Sequence, residues 1–347
     1  MHFDISELYS RLEKLESLIN SSSSEIERLE ILRDIKLIKM ILNYVDSANY
    51  DISDINNLFV STMDERNKVL IDFFSRYYKT LYNSLSGYSF DSRLPWRIHI
   101  SKKISNLEYE KMLIDFFKSF DPRLLDLFIE LKEGNRIELN PKKYISNRDA
   151  IGVNIHLITS DESYILSRFN NKVNTASIIP HEVGHAFTCK NTTDSYSFIS
   201  KNCSLFSEAY SIFLEMVFFD YLKNTKYYKD GINSFYNKLD SFLAVCECFN
   251  SNILLFNSLY TKNGKIYLCD GIHADTYASK LVFSNLLAMY LLDLYRNDRK
   301  KFFIEVNTFI DMFGHASDEE ILIKFNLKNL VSSTNNVLDS YIKTYRK

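Results

Sequence analysis

The sequence contains few of the residues that interrupt regular secondary structure. Its 347 residues include only 8 glycines and 4 prolines, whereas 26 phenylalanines and 23 tyrosines make it rich in aromatic side chains. Glycine and proline mark turns and loops, so a chain poor in both has long uninterrupted elements. Its apolar residues also recur largely at helical spacing. We therefore expect a mainly α-helical protein with a large apolar core and a small β-sheet.

The sequence also lacks the cysteine pattern of a disulfide-stabilised protein. A disulfide framework uses an even number of cysteines at regular spacings. The five cysteines here are odd in number and lie in apolar surroundings: Cys189, Cys203, Cys246, Cys248 and Cys269. We expect buried, reduced thiols. Cys246 and Cys248 are also too close in sequence for a Cys-x-x-Cys metal site.

An excess of either charge is absent as well. The 42 basic and 44 acidic residues leave a net charge of -2, so we expect no nucleic-acid or membrane-surface partner. The longest nearly uncharged run, residues 281–292, is too short to span a bilayer and is typical of a core helix. The first residues do not show a basic segment followed by an apolar one. No signal peptide is therefore predicted, and the expected location is cytoplasmic.

Residues 1–88 are predicted to form an N-terminal helical region. Apolar residues from Ile5 to Ile19 follow helical spacing, and Ser24 with Glu27 can cap a second helix, so the two predict an antiparallel hairpin. A third helix is predicted over residues 64–85. This region could be a lid or a wall of a substrate cleft. Alternatively, it is a layer that packs against the rest of the chain or against a second subunit, which would make a homodimer.

Residues 89–347 are predicted to form a catalytic domain, because residues 87–95 combine turn residues with a change in composition. Ser105 is predicted to open a helix that ends at Phe120. The Asp121-Pro122 pair starts a further helix, which Gly134 closes.

Three short runs, residues 136–139, 152–158 and 164–169, are β-branched or alternating and predict strands of a small sheet. The edge of such a sheet could pair with a peptide backbone. His156 lies on one of these strands, and we do not count it as a metal ligand.

The stretch from Ile178 to Phe187 contains the sequence His-Glu-x-x-His. On a helix, His181 and His185 lie one turn apart on the same face and can both bind one ion. Glu182 lies beside the first histidine, where its carboxylate can act as a base on a water molecule. This division between two ligands and one base is typical of zinc peptidases. The flanking residues are apolar, which predicts a buried helix whose polar groups need partners.

A catalytic zinc ion takes three protein ligands and leaves a fourth position for water. Residues 206–215 supply two acids on an otherwise apolar helix. Glu208 follows His185 by enough residues for a turn and a returning helix, and it is the preferred third ligand. Glu215 lies two turns further on. It could be the ligand instead, orient a ligand histidine, or pair with a basic residue in the core.

His-Glu-Val-Gly-His at 181–185, followed by Glu-Ala-Tyr-Ser at 208–211, resembles the thimet oligopeptidase and oligoendopeptidase F family. The resemblance covers roughly residues 90 to 300, and residues 163–170 resemble the strand that edges that family's substrate cleft. Members of that family are commonly much longer, so the resemblance implies that a large N-terminal portion is missing here.

The resemblance implies a zincin catalytic domain with one zinc ion per chain, in which the glutamate matching Glu208 is the third ligand. It also implies that a histidine and a tyrosine contact the substrate near the last catalytic helix. His273 and Tyr277 are the matching residue types, and Tyr267 could serve as well. One of them would stabilise the oxyanion formed during peptide hydrolysis.

The predicted function is therefore a zinc-dependent endopeptidase that hydrolyses short, unstructured oligopeptides, with Glu182 as general base. Two alternatives are a processing peptidase dedicated to one leader or signalling peptide, and a non-catalytic peptide-binding protein that retains the fold. All the motif residues are present, which favours an enzyme.

Overall fold

Residues are numbered as in the sequence, and the computed structural model describes the following ones: 1–22, 24–46, 48–50, 100–141, 152–190, 204–243, 272–312, 316 and 318–345. The chain divides into two compact units. One consists of Met1–Ser61 and Ser101–Ser200, and the other of Thr62–Ile100 and Lys201–Lys347. The predicted third helix over 64–85 and the predicted domain boundary after residue 88 lie outside the described residues and stay predictions.

The first unit begins with two packed helices, α1 (Ile5–Leu18) and α2 (Glu25–Val45). The hydroxyl of Ser24 accepts a hydrogen bond from the backbone N–H of Glu27 at 3.0 Å. This contact satisfies one of the N–H groups that the first turn of a helix leaves without a partner. The hairpin and its cap are as predicted.

Two further helices precede the sheet, α3 (Asn106–Phe120) and α4 (Pro122–Glu133). The side chain of Ser105 caps α3, and Asp121 caps α4 with proline at its first position. Both helices start and end where the sequence predicts.

Gly134 closes α4 for a reason that the sequence does not reveal. Its φ is -75°, and the left-handed residue that follows the helix is Asn135, with φ of 50°. A Cβ atom on Gly134 would lie 2.7 Å from Nε of Arg136. The glycine therefore leaves room for a guanidinium group and does not serve a left-handed conformation.

The sheet has three strands, β1 (Ile137–Glu138), β2 (Gly152–Leu157) and β3 (Glu162–Ser167). The order is β1-β3-β2, with β3 parallel to β1 and antiparallel to β2. All three predicted strands are present. Which of these strands borders a substrate cleft stays a prediction. The segment 163–170 falls on β3, which has a hydrogen-bonded strand on each side. The two edges of the described sheet are β1 and β2, and β2 is the longer of the two.

The two faces of β2 contact different layers. Val153, Ile155 and Leu157 pack with the apolar faces of α1 and α2. The N-terminal hairpin is therefore a layer on the sheet, which was one of the two predicted roles. The strand also packs on helix α5 (Ile178–Lys190), which carries the His-Glu-x-x-His sequence. The predicted position of the sheet beside the motif helix is confirmed.

The described part of the second unit is helical. Its helices include α6 (Ser204–Leu222), α7 (Ile272–Asn297), α8 (Arg299–Met312), α9 (Asp318–Phe325) and α10 (Leu327–Tyr345). Helix α7 packs against α6, α8 and α10. Residues 282–292 of α7 are buried, as the prediction of a core helix requires. Within the described residues, no helix is both long and apolar enough to cross a membrane.

Candidate metal centre

The start of α5 is held by an aromatic side chain from α3. The hydroxyl of Tyr109 donates a hydrogen bond to the carbonyl of Ala176 at 2.6 Å, and its ring stacks on Phe169 with centroids 4.2 Å apart. Burial raises the pKa of Tyr109, so the hydroxyl keeps its proton and remains a donor. Pro180 lies in the first turn, where its missing N–H costs no hydrogen bond.

The end of α5 is held by charged groups of α4 and the chain that follows it. Lys190 forms an ion pair with Glu130, which also accepts a hydrogen bond from Arg136 at 3.0 Å. Burial would raise the pKa of Glu130, but the bonds from Lys190 and Arg136 outweigh it and hold that pKa below its usual value. The guanidinium of Arg123 lies 5.4 Å from the ring centroid of Phe187. The motif helix is therefore fixed at both ends.

His181 and His185 point their rings at the same place. Their Nε2 atoms are 3.1 Å apart, and both residues are half-buried. Two nitrogen ligands on one tetrahedral zinc ion are about 3.3 Å apart, because each Zn–N bond is about 2.0–2.1 Å long. The observed pair has nearly this spacing. It therefore fits a metal ion, and both ligands come from one turn of a single helix.

Glu182 is buried, with 5% of its surface exposed. Its carboxylate lies against the start of β2, since a Cβ atom built on Gly152 would come within 2.6 Å of Glu182 Oε1. The side chain of Glu182 therefore reaches the backbone of β2 at Gly152.

Glu208 lies on α6 and is half-buried. His181 and His185 belong to the first compact unit, and Glu208, the predicted third ligand, belongs to the second. Two imidazoles and one carboxylate are a ligand set found in catalytic zinc sites. By its chemistry the group fits zinc, and the assignment of Glu208 as third ligand stays a prediction.

Glu215, the alternative ligand, forms an ion pair with Lys238 at 2.9 Å. This pairing is the structural role that the sequence left open for it. His273 and Tyr277 belong to the first turns of α7, but the positions of their side chains are outside the description, and so is the whole of Tyr267. The prediction that one of these three residues stabilises the oxyanion therefore stays a prediction.

His156 and Cys189 are not among the predicted metal ligands, and both are buried. Nδ1 of His156 is 3.1 Å from the hydroxyl of Ser163, and its Nε2 is 3.4 Å from Asp161. Cys189, the cysteine that lies within the described residues, is a free and buried thiol, as predicted. Burial raises the pKa of this thiol to about 12, so it stays protonated and unreactive at neutral pH.

Sequence reasoning did not identify Gly152 as part of the site. A glycine inside a strand often marks the close approach of another group, and Gly152 opens a predicted strand shortly before the motif. That signal was available, but it does not say which residue approaches. The structure identifies this residue as Glu182.

The architecture matches solved peptidase structures over nearly the whole chain. A proposed oligoendopeptidase F from Bacillus anthracis is 12% identical with a TM-score of 0.56, and the match covers 91% of this chain and 62% of that one. The fold is that of oligoendopeptidase F. A proposed peptidase from Chlamydophila abortus is 14% identical with a TM-score of 0.53, covering 96% of this chain and 63% of that one. This chain therefore spans less than two thirds of either protein.

A third solved structure with this fold is PZ peptidase A with an inhibitor. It is 11% identical with a TM-score of 0.54, and the match covers 96% of this chain and 67% of that one. No protein-family model matches the sequence, and no curated protein matches it. At these identities the likeness shows the oligoendopeptidase F fold, a mainly helical chain with a small sheet, and leaves the activity to be argued from the site.

Proposed function

We propose that this protein is a zinc-dependent endopeptidase that hydrolyses short, unstructured oligopeptides. The observation that carries the proposal is the pair of Nε2 atoms of His181 and His185, 3.1 Å apart on a buried helix, with Glu182 between them in sequence. The fold supports it, since the solved structures that share it are described as peptidases.

His181, His185 and Glu208 would hold one zinc ion per chain. A zinc ion in such a site lowers the pKa of a water molecule and polarises the carbonyl of the scissile peptide bond. Glu182 accepts the proton of the attacking water and delivers it to the departing amine. His273 or Tyr277, with Tyr267 as a further candidate, donates a hydrogen bond to the oxyanion.

The substrate would lie as an extended strand along β2. Among the described residues, β2 is hydrogen-bonded on one side only, by β3, and it packs directly on the motif helix. Main-chain hydrogen bonds to such an edge hold a peptide without reading its sequence. This favours a peptidase that acts on many unstructured peptides over one that is dedicated to a single peptide.

The test is the substitution Glu182→Gln. It should retain about one zinc per chain and lose peptide hydrolysis by several orders of magnitude, because glutamine cannot accept the proton. The matched control is Glu133→Gln, the same change at an exposed position at the end of α4, which should keep full activity. Near-full activity of Glu182→Gln would contradict the mechanism.

A panel of unrelated quenched-fluorescent peptides of about eight residues separates the remaining alternatives. A general oligopeptidase cuts many of them at interior bonds, and a dedicated processing enzyme cuts few. A binding protein that retains the fold would cut none while still holding zinc.

A further inference from the structure

Strand β2 begins with Gly152, whose backbone lies directly against the motif helix α5 because glycine has no side chain. Along this strand, Val153 and Ile155 point to the N-terminal helices. Since side chains alternate between the two faces of a strand, Gly152 and Asn154 face the opposite way. Nδ2 of Asn154 is 4.0 Å from Sγ of Cys189 on α5. Gly152 lies two residues before Asn154 on the same face of β2, and it is close to Ile178 and Glu182 in the first turns of α5.

The missing side chain of Gly152 leaves the space that Glu182 fills. A Cβ atom at this position would lie 2.6 Å from Glu182 Oε1, 3.0 Å from Glu182 Cγ and 2.7 Å from Cγ2 of Ile178. Contacts below 3.0 Å are essentially never seen for real Cβ atoms. Gly152 belongs to an extended strand, so the close approach, and not a left-handed backbone conformation, requires glycine here.

We propose that Gly152 is a positioning residue for Glu182: the bare strand backbone lets the carboxylate lie flat against β2 and fixes where it can act as a base. The proposal rests on the proposed function, in which Glu182 is the general base. A side chain at position 152 would displace the carboxylate by about 1 Å. Errors of this size in the placement of a catalytic group cost about a hundredfold in rate.

The first test is Gly152→Ala, assayed with short quenched-fluorescent peptides. We expect kcat to fall about 10- to 100-fold, KM to stay within about threefold and the zinc content to stay near one per chain. KM is expected to change little because the main-chain groups of β2 are the same in both proteins.

A double-mutant cycle separates positioning from a general loss of structure. In the Glu182→Gln background no base remains to be misplaced, so adding Gly152→Ala should not slow the residual reaction further. A merely structural role would slow hydrolysis equally in both backgrounds.

A second readout needs no activity. In the metal-free protein, Gly152→Ala should lower the melting temperature by about 2–6 °C through overpacking. In the Glu182→Ala background the same substitution should lower it by no more than half as much, because the group it displaces has been removed. The contact with Ile178 remains in that background and accounts for the rest.

Gly231→Ala is the matched control. A Cβ atom there would lie 2.7 Å from the backbone oxygen of Phe219, which relaxes less easily than the side chains near Gly152, so the control is at least as disruptive to the fold. This variant should also melt at a lower temperature. We expect its kcat to be unchanged and its shift to be the same with and without Glu182.

Wild-type kcat in Gly152→Ala, or equal melting shifts in both backgrounds, would overturn the positioning role. If Glu182→Gln is inactive at the same time, the proposed function stands and only the role of Gly152 falls. Full activity of Glu182→Gln would overturn both.

Discussion

At the scale of single residues, the two histidines of the motif and His156 lie in different surroundings. His181 and His185 are half-buried and face each other. His156, in contrast, lies on β2, is only 8% exposed and contacts Ser163 of β3. Burial, with a smaller contribution from nearby Arg33, lowers the pKa of His156 to about 4. Asp161 would act in the opposite direction, but its side chain is 61% exposed and water weakens its attraction.

This depressed pKa predicts a loss of stability in mild acid. The unfolded chain binds the His156 proton near pH 6.5, whereas the folded protein binds it only near pH 4. The contribution of uncharged His156 to the free energy of unfolding is therefore complete above pH 6.5 and is lost as the pH falls toward 4. We expect His156 to account for roughly 2 kcal/mol of the fall in unfolding free energy between pH 7 and pH 4.5.

The variant His156→Gln, which can still hydrogen-bond to Ser163, isolates this effect. Urea unfolding of both proteins at the two pH values measures it. The variant should lose less stability than the wild type over this range. Two curves that fall in parallel would show that His156 does not titrate in this way.

At the scale of elements, the sequence predicts where helices and strands form more reliably than it predicts which elements pair or pack with one another. The caps at Ser24, Ser105 and Asp121 are local signals, and each lies at the start of a helix in the structure. The order of strands is not local. The sheet places β3 in the centre, although it is the last of the three in sequence, and no local signal predicts this order.

The packing of the N-terminal hairpin on the sheet can be tested with two isoleucines of α2. Ile38 is fully buried, and Ile26 is 49% exposed. Ile38→Ala should lower the free energy of unfolding by about 2–4 kcal/mol, because it leaves a cavity in the layer between helices and sheet. Ile26→Ala, the same change on the same helix, should cost less than about 0.5 kcal/mol. Equal effects in urea unfolding would mean that the hairpin does not pack on the sheet as described.

In the candidate site, too, relations between residues close in sequence could be predicted, and contacts between distant residues could not. His181, Glu182 and His185 belong to one turn of helix, so their relation follows from helical geometry and could be predicted from the sequence. Gly152 meets Glu182 through the fold, and no spacing in the sequence links them. The residues proposed to stabilise the oxyanion depended on resemblance alone, and they stay predictions.

At the scale of the whole molecule, the proposed zinc peptidase activity rests on the oligoendopeptidase F fold and on the paired histidines of the motif, His181 and His185. The fold alone fixes no chemistry, because one fold can host unrelated activities. The activity therefore depends on whether the chain binds zinc, and on which residues bind it.

The most direct measurement is the zinc content of the purified protein by elemental analysis, for the wild type, Glu208→Ala and Glu215→Ala. Both variants remove a carboxylate from α6, but Glu215 is paired with Lys238 and serves as the control. The account predicts about one zinc per chain in the wild type and in Glu215→Ala, and its loss in Glu208→Ala. Zinc retained in Glu208→Ala would contradict the proposed ligand set, and a wild type without zinc affinity would contradict the proposed function.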